Sequence, residues 1–275
     1  MSQRSNCRIF QDMTVPDIVE QVFDEAGFSG KYTAKLMGRY EPRTYCVQYR
    51  ETDLNFVSRL LHEEGIFYYF VHEDKEHKLV LGDSPTAYQT IKPESEVEYI
   101  LARHDGGESR PGVLDLGSAM AVRPTKYSLM EYDFTKPTAD LAASAETDGS
   151  LELYDYSAPY AKRDQGESYA KIRLQEYRVD AKTLKGRATD RRLSAGHTFS
   201  LIDHPQDDLN ASYLVTETQI KGSQTGEAAT CICTFRCIPA DIPFRPKQGT
   251  AHKPVVIGLS DRHGCRARRR RGMDR

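Results

Sequence analysis

A chain of 275 residues corresponds to roughly two domains at ~150 residues each, long enough to bury more than one core. Hydrophobic residues at 39 % and charged residues at 28 %, with 16 Tyr and 10 Phe but no Trp, make a foldable mixture and exclude wholesale disorder. The formal charge of −2 hides an asymmetry: Arg262 to Arg275 hold seven arginines and one acid, Asp274, and without them 31 basic residues face 39 acidic ones, a body at −8. Such a body presents no basic nucleic-acid-binding face, which needs Lys and Arg spread over the folded surface.

No stretch nears the ~20 apolar residues of a membrane-spanning helix, so no membrane-spanning segment is expected. Met1-Ser2-Gln3-Arg4-Ser5-Asn6 is not followed by the apolar run of a secretory signal. Six Cys at irregular spacing fit reduced thiols better than a disulfide framework. These features point to synthesis in the cytoplasm and leave open export by a route that uses no signal peptide.

The first element opens at Thr14, a helix cap with Pro16 in the first turn and Asp17 as its capping-box partner. Val15, Ile18, Val19, Val22, Phe23 and Ala26 recur at helical spacing until Gly27 supplies a left-handed stop. Tyr45 to Arg50 alternates as a half-buried strand, with Cys46, Gln48 and Arg50 on one face and Tyr45, Val47 and Tyr49 on the other. A second helix follows, with Thr52 as cap, Asp53 in the first turn, Phe56, Val57, Leu60 and Leu61 as its stripe and Gly65 as its stop. Ile66 to Val71 then reads as a strand, His72 to His77 as a polar turn, and Leu79 to Leu81 as the returning strand of a hairpin.

The cluster of breakers from His104 to Gly112 is the candidate boundary between domains. Beyond it Leu129–Phe134, Leu151–Tyr156, Phe199–Ile202, Tyr213–Ile220 and Thr230–Ile238 are strand-like runs, as in a small barrel or sandwich. One helix, about Glu167 to Val179, interrupts them, with Asp164 or Gly166 near its start and Tyr169, Ile172 and Tyr177 on its apolar side.

Few residues suggest chemistry. Cys231, Cys233 and Cys237 would share a strand face with Phe235, which favours a core face over a metal site lacking paired C-x2-4-C spacings. His62, His72 and His77 show no metal-binding spacing. Glu51, Glu63 and Glu64 could be imagined as a glycosidase pair, though helix caps and solvated ends explain them more simply. Gly106-Gly107 is a turn signal, and the run Arg268 to Arg271 reads as a solvated terminal tail. No catalytic, cofactor-binding or metal-ligating residue is assigned, no cofactor is expected, and the chain is read as a non-enzyme.

Several strings carry a resemblance: Arg8-Ile9-Phe10-Gln11, Tyr45 through Asp53, Phe56-Val57-Ser58-Arg59-Leu60, Glu63-Glu64-Gly65-Ile66 and Tyr68-Tyr69-Phe70. With Asp133-Phe134, Pro137 and Tyr154-Asp155-Tyr156, they strongly resemble VgrG proteins of type VI secretion systems from about Cys7 to Gly258. The resemblance implies a structural part of phage tail hub-like α+β fold, with β-barrel tube domains and a helix–strand unit. It also implies a homotrimer seated on the Hcp tube ring and secreted by the type VI apparatus, with effector proteins carried by C-terminal regions. The expected domains are residues 1–110, the end of a first tube domain plus the α+β unit; 111–246, a second tube domain; and 247–275, a linker and aberrant Arg-rich tail. The family pattern is departed from at both ends: little precedes Arg8, and after Gly258 no OB or β-helix sequence follows. The expectation is a hub module without its spike; the alternatives are a fragment of a disrupted gene with an out-of-frame tail, or a carboxylate-dependent hydrolase.

Overall fold

In the computed structural model, residues 1–100, 110–156, 160–225, 228–247 and 253–255 are described. The elements run β1 (Ser5–Phe10), α1 (Val15–Glu25), β2 (Tyr32–Lys35), β3 (Cys46–Thr52), α2 (Asp53–Glu63), β4 (Phe67–His72) and β5 (His77–Gly82). They continue with β6 (Gln89–Thr90), β7 (Glu96–Glu98), β8 (Val113–Met120), β9 (Lys126–Met130), β10 (Ala143–Glu146) and β11 (Glu152–Tyr156). Last come α3 (Arg163–Arg178), β12 (Lys182–Ala188), β13 (His197–Ile202), β14 (Ser212–Thr225) and β15 (Ala228–Pro239). No helix among the described residues is long and apolar enough to cross a membrane. Two compact units result, one from Met1–Phe28 and Arg39–Glu63, the other from Ser29–Gly38 and Glu64–Lys247.

In the first unit, α1 begins as its capping chemistry dictates. The Thr14 hydroxyl accepts the Asp17 N–H, the Asp17 carboxylate accepts the Thr14 N–H, and Gly27 sits at φ +83° past the end. Val15, Ile18, Val19, Val22 and Phe23 are buried, as their spacing requires. Antiparallel β1 and β3 form the accompanying two-stranded sheet. The simple alternation expected for Tyr45–Arg50 does not run through: Arg50 takes φ +48°, and the register skips it between Tyr49 and Glu51. This one-residue bulge turns Glu51 inward beside buried Cys46 and Gln48 and leaves Arg50 exposed.

The second unit is sheet-dominated. A mixed seven-stranded sheet runs in the order β6-β13-β14-β15-β12-β8, with β7 also paired to β13. Its two ends approach each other, because Tyr99 bridges Val113 and the Ile100 N–H donates to the Val113 carbonyl at 2.7 Å. Arg192 fastens the approach to β7: its guanidinium grips buried Asp190 and also donates to the carbonyls of Glu94 (2.9 Å) and Glu96 (3.1 Å). Phe199, Tyr213 and Phe235 fill the interior, with Phe199 5.8 Å from each of the other two rings. Cys233 and Cys237 lie on the same buried face as Phe235, the core arrangement expected of that strand.

Two smaller sheets complete this unit. The order β2-β5-β4 contains the expected hairpin, in which the ladder extends to His72 opposite His77 and leaves Glu73–Glu76 as the turn. The order β10-β9-β11 packs against α3, with β11 parallel to β9. The expected strand 129–134 is shifted: β9 ends at Met130, because the Asp133 carboxylate accepts the Thr135 N–H at 2.8 Å and folds the chain into a turn. Helix α3 begins a turn earlier than expected and buries a different face. Gly166, Ala170 and Leu174 face the sheet, Tyr169 and Ile172 are only partly buried, and Tyr177 is 43 % exposed. Small residues win that face because the helix lies very near its neighbours: a Cβ on Gly166 would stand 2.6 Å from the Tyr160 ring and 2.9 Å from the Ala143 Cβ.

Sequence reading missed β8 and β12, which pair with each other. Lys182-Thr-Leu-Lys-Gly-Arg-Ala lacks the apolar weight of a strand, yet its Leu184, Gly186 and Ala188 are buried. Gly186 has a specific reason: a Cβ there would lie 2.5 Å from the Asp115 carbonyl oxygen and 2.8 Å from the Phe235 ring. Gly186→Ala is therefore expected to destabilise the chain by about 1–3 kcal/mol, read as a lower urea midpoint with an unchanged m-value.

Candidate functional site

The first group of motif residues forms a buried lock in the first unit. Arg8 donates to Gln48 (2.8 Å), Glu25 (2.5 Å) and Asp53 (2.6 Å), while the Gln48 amide donates to Asp53 (2.9 Å) and to the Glu51 carbonyl (3.0 Å). Asp53 is wholly buried at the start of α2; its Oδ1 takes these bonds, and its Oδ2 forms an ion pair with Arg4 at 3.3 Å without hydrogen-bond geometry. Arg59, one turn and a half further on, holds Glu51 with two nitrogens (2.7 and 3.1 Å) and donates to the Val47 carbonyl (2.8 Å). Phe10 stacks on Phe56 at 5.5 Å, and Arg59 lies over that Phe56 ring. The bonds join β1, β3 and α2, so Arg8, Gln48, Glu51, Asp53 and Arg59 of the motif strings form one connected network. Arg8 cannot be recognised as part of it from spacing, because Gln48 and Asp53 lie 40 and 45 residues away.

This placement answers the carboxylate candidates. Glu51 is 7 % exposed and gripped by Arg59 and Asn55; Glu63 pairs with Arg43 at 2.6 Å and Arg59 at 3.7 Å; Glu64 accepts the Tyr169 hydroxyl at 3.1 Å. Each carboxylate is thus engaged in holding neighbouring structure. The five described cysteines are free thiols. Burial pushes Cys233 up to about 11 and Cys237 up to about 12, so both are protonated at neutral pH and are poor metal ligands. Among the described residues no three His, Cys, Asp or Glu side chains converge on a metal-sized site. His72 and His77 meet across the hairpin, with Nδ1 atoms 2.9 Å apart, whereas His62 lies in the last turn of α2. Gly106-Gly107, most of the 104–112 cluster and Arg268–Arg271 lie outside the described residues.

The later motif residues behave differently. Tyr154 and Tyr156 project from the edge strand β11 at 64 % and 60 % exposure, while Leu153, just before them, packs against the core beneath. Phe134 is 80 % exposed, and Met130, Tyr132 and Leu151 are also exposed large hydrophobics of this region. An edge strand lined with aromatic side chains is a surface equipped for pairing with another chain. The geometry therefore offers an assembly surface, and the buried polar groups serve to hold the scaffold.

One unit of two helices on a two-stranded sheet and one dominated by sheets make an α+β protein. The chain belongs to the phage tail baseplate hub (GPD) family, whose model matches residues 1–226. It is 36 % identical to the type VI secretion system spike protein VgrG1c of Pseudomonas aeruginosa over 94 % of this chain and 37 % of that protein. It is 32 % identical to the spike protein VgrG3 of Vibrio cholerae over 94 % of this chain and 26 % of that protein. The chain thus spans well under half the length of both relatives. Among solved structures it is similar to the Escherichia coli c3393 protein, a type VI secretion component resembling T4 tail proteins gp27 and gp5. That likeness has a TM-score of 0.65 at 22 % identity, over 94 % of this chain and 57 % of the other. A Neisseria meningitidis tail protein gives 0.61 at 13 % identity, over 86 % and 70 %. These likenesses bear out the phage tail hub-like α+β fold and the VgrG resemblance.

Arg59→Leu is expected to cost about 3–5 kcal/mol, because it strands the Glu51 carboxylate without its cation. The double variant Glu51→Leu/Arg59→Leu should recover much of that loss in a denaturant-based double-mutant cycle. Thiol labelling of the native protein with a chromogenic disulfide should modify exposed Cys7 promptly and Cys233 and Cys237 only after unfolding.

Proposed function

We propose that this chain is a structural hub module of a type VI secretion spike that works by symmetric self-assembly. It forms a homotrimer and seats on the ring of an Hcp tube. Residues 111–246 act as the second tube domain, and 1–110 contribute the end of a first tube domain together with the α+β unit. In this reading the chain is made in the cytoplasm, leaves with the type VI apparatus, catalyses nothing and uses no cofactor. Effector proteins travel on regions that follow the hub in the longer relatives.

One observation carries the reading: the motif residues Phe134, Tyr154 and Tyr156 are exposed on and beside an edge strand. Burial of such rings against a second copy is favourable at ~25 cal/mol per Å2 of apolar surface, and the edge gains ladder partners at the same time. A closed symmetric ring covers every copy of the same patch, which an open dimer would not. The hydrolase alternative finds no support in Glu51 and Glu63, since both are tied to arginines.

Sedimentation velocity of the full chain tests this. The wild-type protein should sediment as a species of three 31.2 kDa chains, and Phe134→Ser/Tyr154→Ser/Tyr156→Ser should sediment as monomer with an unchanged circular dichroism spectrum. A wild-type chain that stays monomeric at high concentration and ignores an Hcp ring would contradict the proposal.

A further inference from the structure

The β4–β5 hairpin carries two histidines with no part in the lock or in the exposed aromatic edge. His72 and His77 are the last register pair before the turn. The Glu73 N–H donates to the Glu76 carbonyl at 2.9 Å just beyond them, which makes the histidines a non-hydrogen-bonded pair, the kind whose side chains approach most closely. Both rings are exposed, their centroids are 4.8 Å apart at 72°, and their Nδ1 atoms are hydrogen-bonded at 2.9 Å, a bond that an ion held by both nitrogens would replace. Phe70, two residues back on the same face, stacks on His72 at 6.3 Å and 23° and steadies that ring.

Two nitrogens each about 2.0–2.1 Å from one metal ion and at right angles to each other stand about 2.9 Å apart. The hairpin therefore already holds two imidazoles at the separation of neighbouring ligands on one ion. We propose that His72 and His77 form a two-imidazole site for a divalent ion from the nickel–copper–zinc end of the first transition series. Water fills the remaining positions. Imidazole suits these ions, whereas magnesium and calcium take oxygen donors. The neighbouring Glu76 carboxylate faces Lys31 and Lys78, each at 3.6 Å, and among the described residues no third His, Cys, Asp or Glu joins the pair, so the protein's donor set is two nitrogens. His197 is not a third ligand: it lies edge-on to Tyr69 at 5.6 Å, and Tyr69 projects from the other face of β4. A bound ion would clip the turn end of the hairpin, where β4 is the edge strand of its sheet.

Calorimetric titration of the metal-free full chain with Ni2+ tests the site, with thermal unfolding followed in parallel. One Ni2+ per chain and a rise in Tm are expected for the wild type. His72→Ala and His77→Ala should each weaken binding at least tenfold and abolish the Tm rise; both positions are exposed, so the variants should fold, which circular dichroism checks. His62→Ala and Cys7→Ser, which remove donors elsewhere, should bind as the wild type does. Absence of Ni2+ binding by the wild-type chain, or binding that survives both hairpin substitutions, would overturn the proposal.

Discussion

A β-sheet must dispose of its edges, and that constraint orders this molecule. The seven-stranded sheet brings its two ends together where Tyr99 bridges Val113, with Arg192 and Asp190 holding the incoming segment in place. Its curvature leaves an interior filled by Phe199, Tyr213 and Phe235, and Phe235 has room because Gly186 carries no Cβ. The small sheets keep open edges instead, at β11 and β4, and both of those strands carry exposed aromatic rings. An edge left open and lined with rings is a liability for a solitary chain and an asset for one that assembles.

The first unit solves a different problem. A two-stranded sheet is barely stable by itself, so β1 and β3 depend on the helices and on a polar network for their register. Buried ion pairs such as Arg59–Glu51 add little net stability once desolvation is counted. Their value here is specificity: a slipped register would leave Asp53 or Glu51 buried without its cation. The bulge at Arg50 belongs to the same design, because without it Glu51 would point away from Arg59. The same network explains why acidic side chains near one another in sequence do not amount to hydrolytic chemistry.

What could be read from sequence divides along physical lines. Helix α1, helix α2 and the β4–β5 hairpin were legible because caps, stops and apolar periodicity are local signals, and each side chain acts within a few residues of its own position. The core face of Cys233, Phe235 and Cys237 was legible from strand alternation alone. Strands β8 and β12 were not, since their burial is set by partners far along the chain and their small residues carry little hydrophobic weight. For the same reason the apolar side of α3 was assigned to Tyr169, Ile172 and Tyr177, when Gly166 and Ala170 make the intimate contact. The partners of Arg8 and the exposure of Tyr154 and Tyr156 belong to tertiary structure, which local patterns do not encode; the family resemblance singled out those strings but not their opposite roles.

Buried motif residues hold the scaffold, and in the proposed assembly the exposed motif residues join it to other copies: that division is the central claim. Hydrogen–deuterium exchange of the full chain across a range of protein concentrations tests it most directly, since it reads both groups in one experiment. Amides of Glu152–Tyr156 should become protected as concentration rises, while those of Phe56–Leu60 in the buried lock stay protected throughout. Exchange in β11 that is fast and independent of concentration would contradict the account.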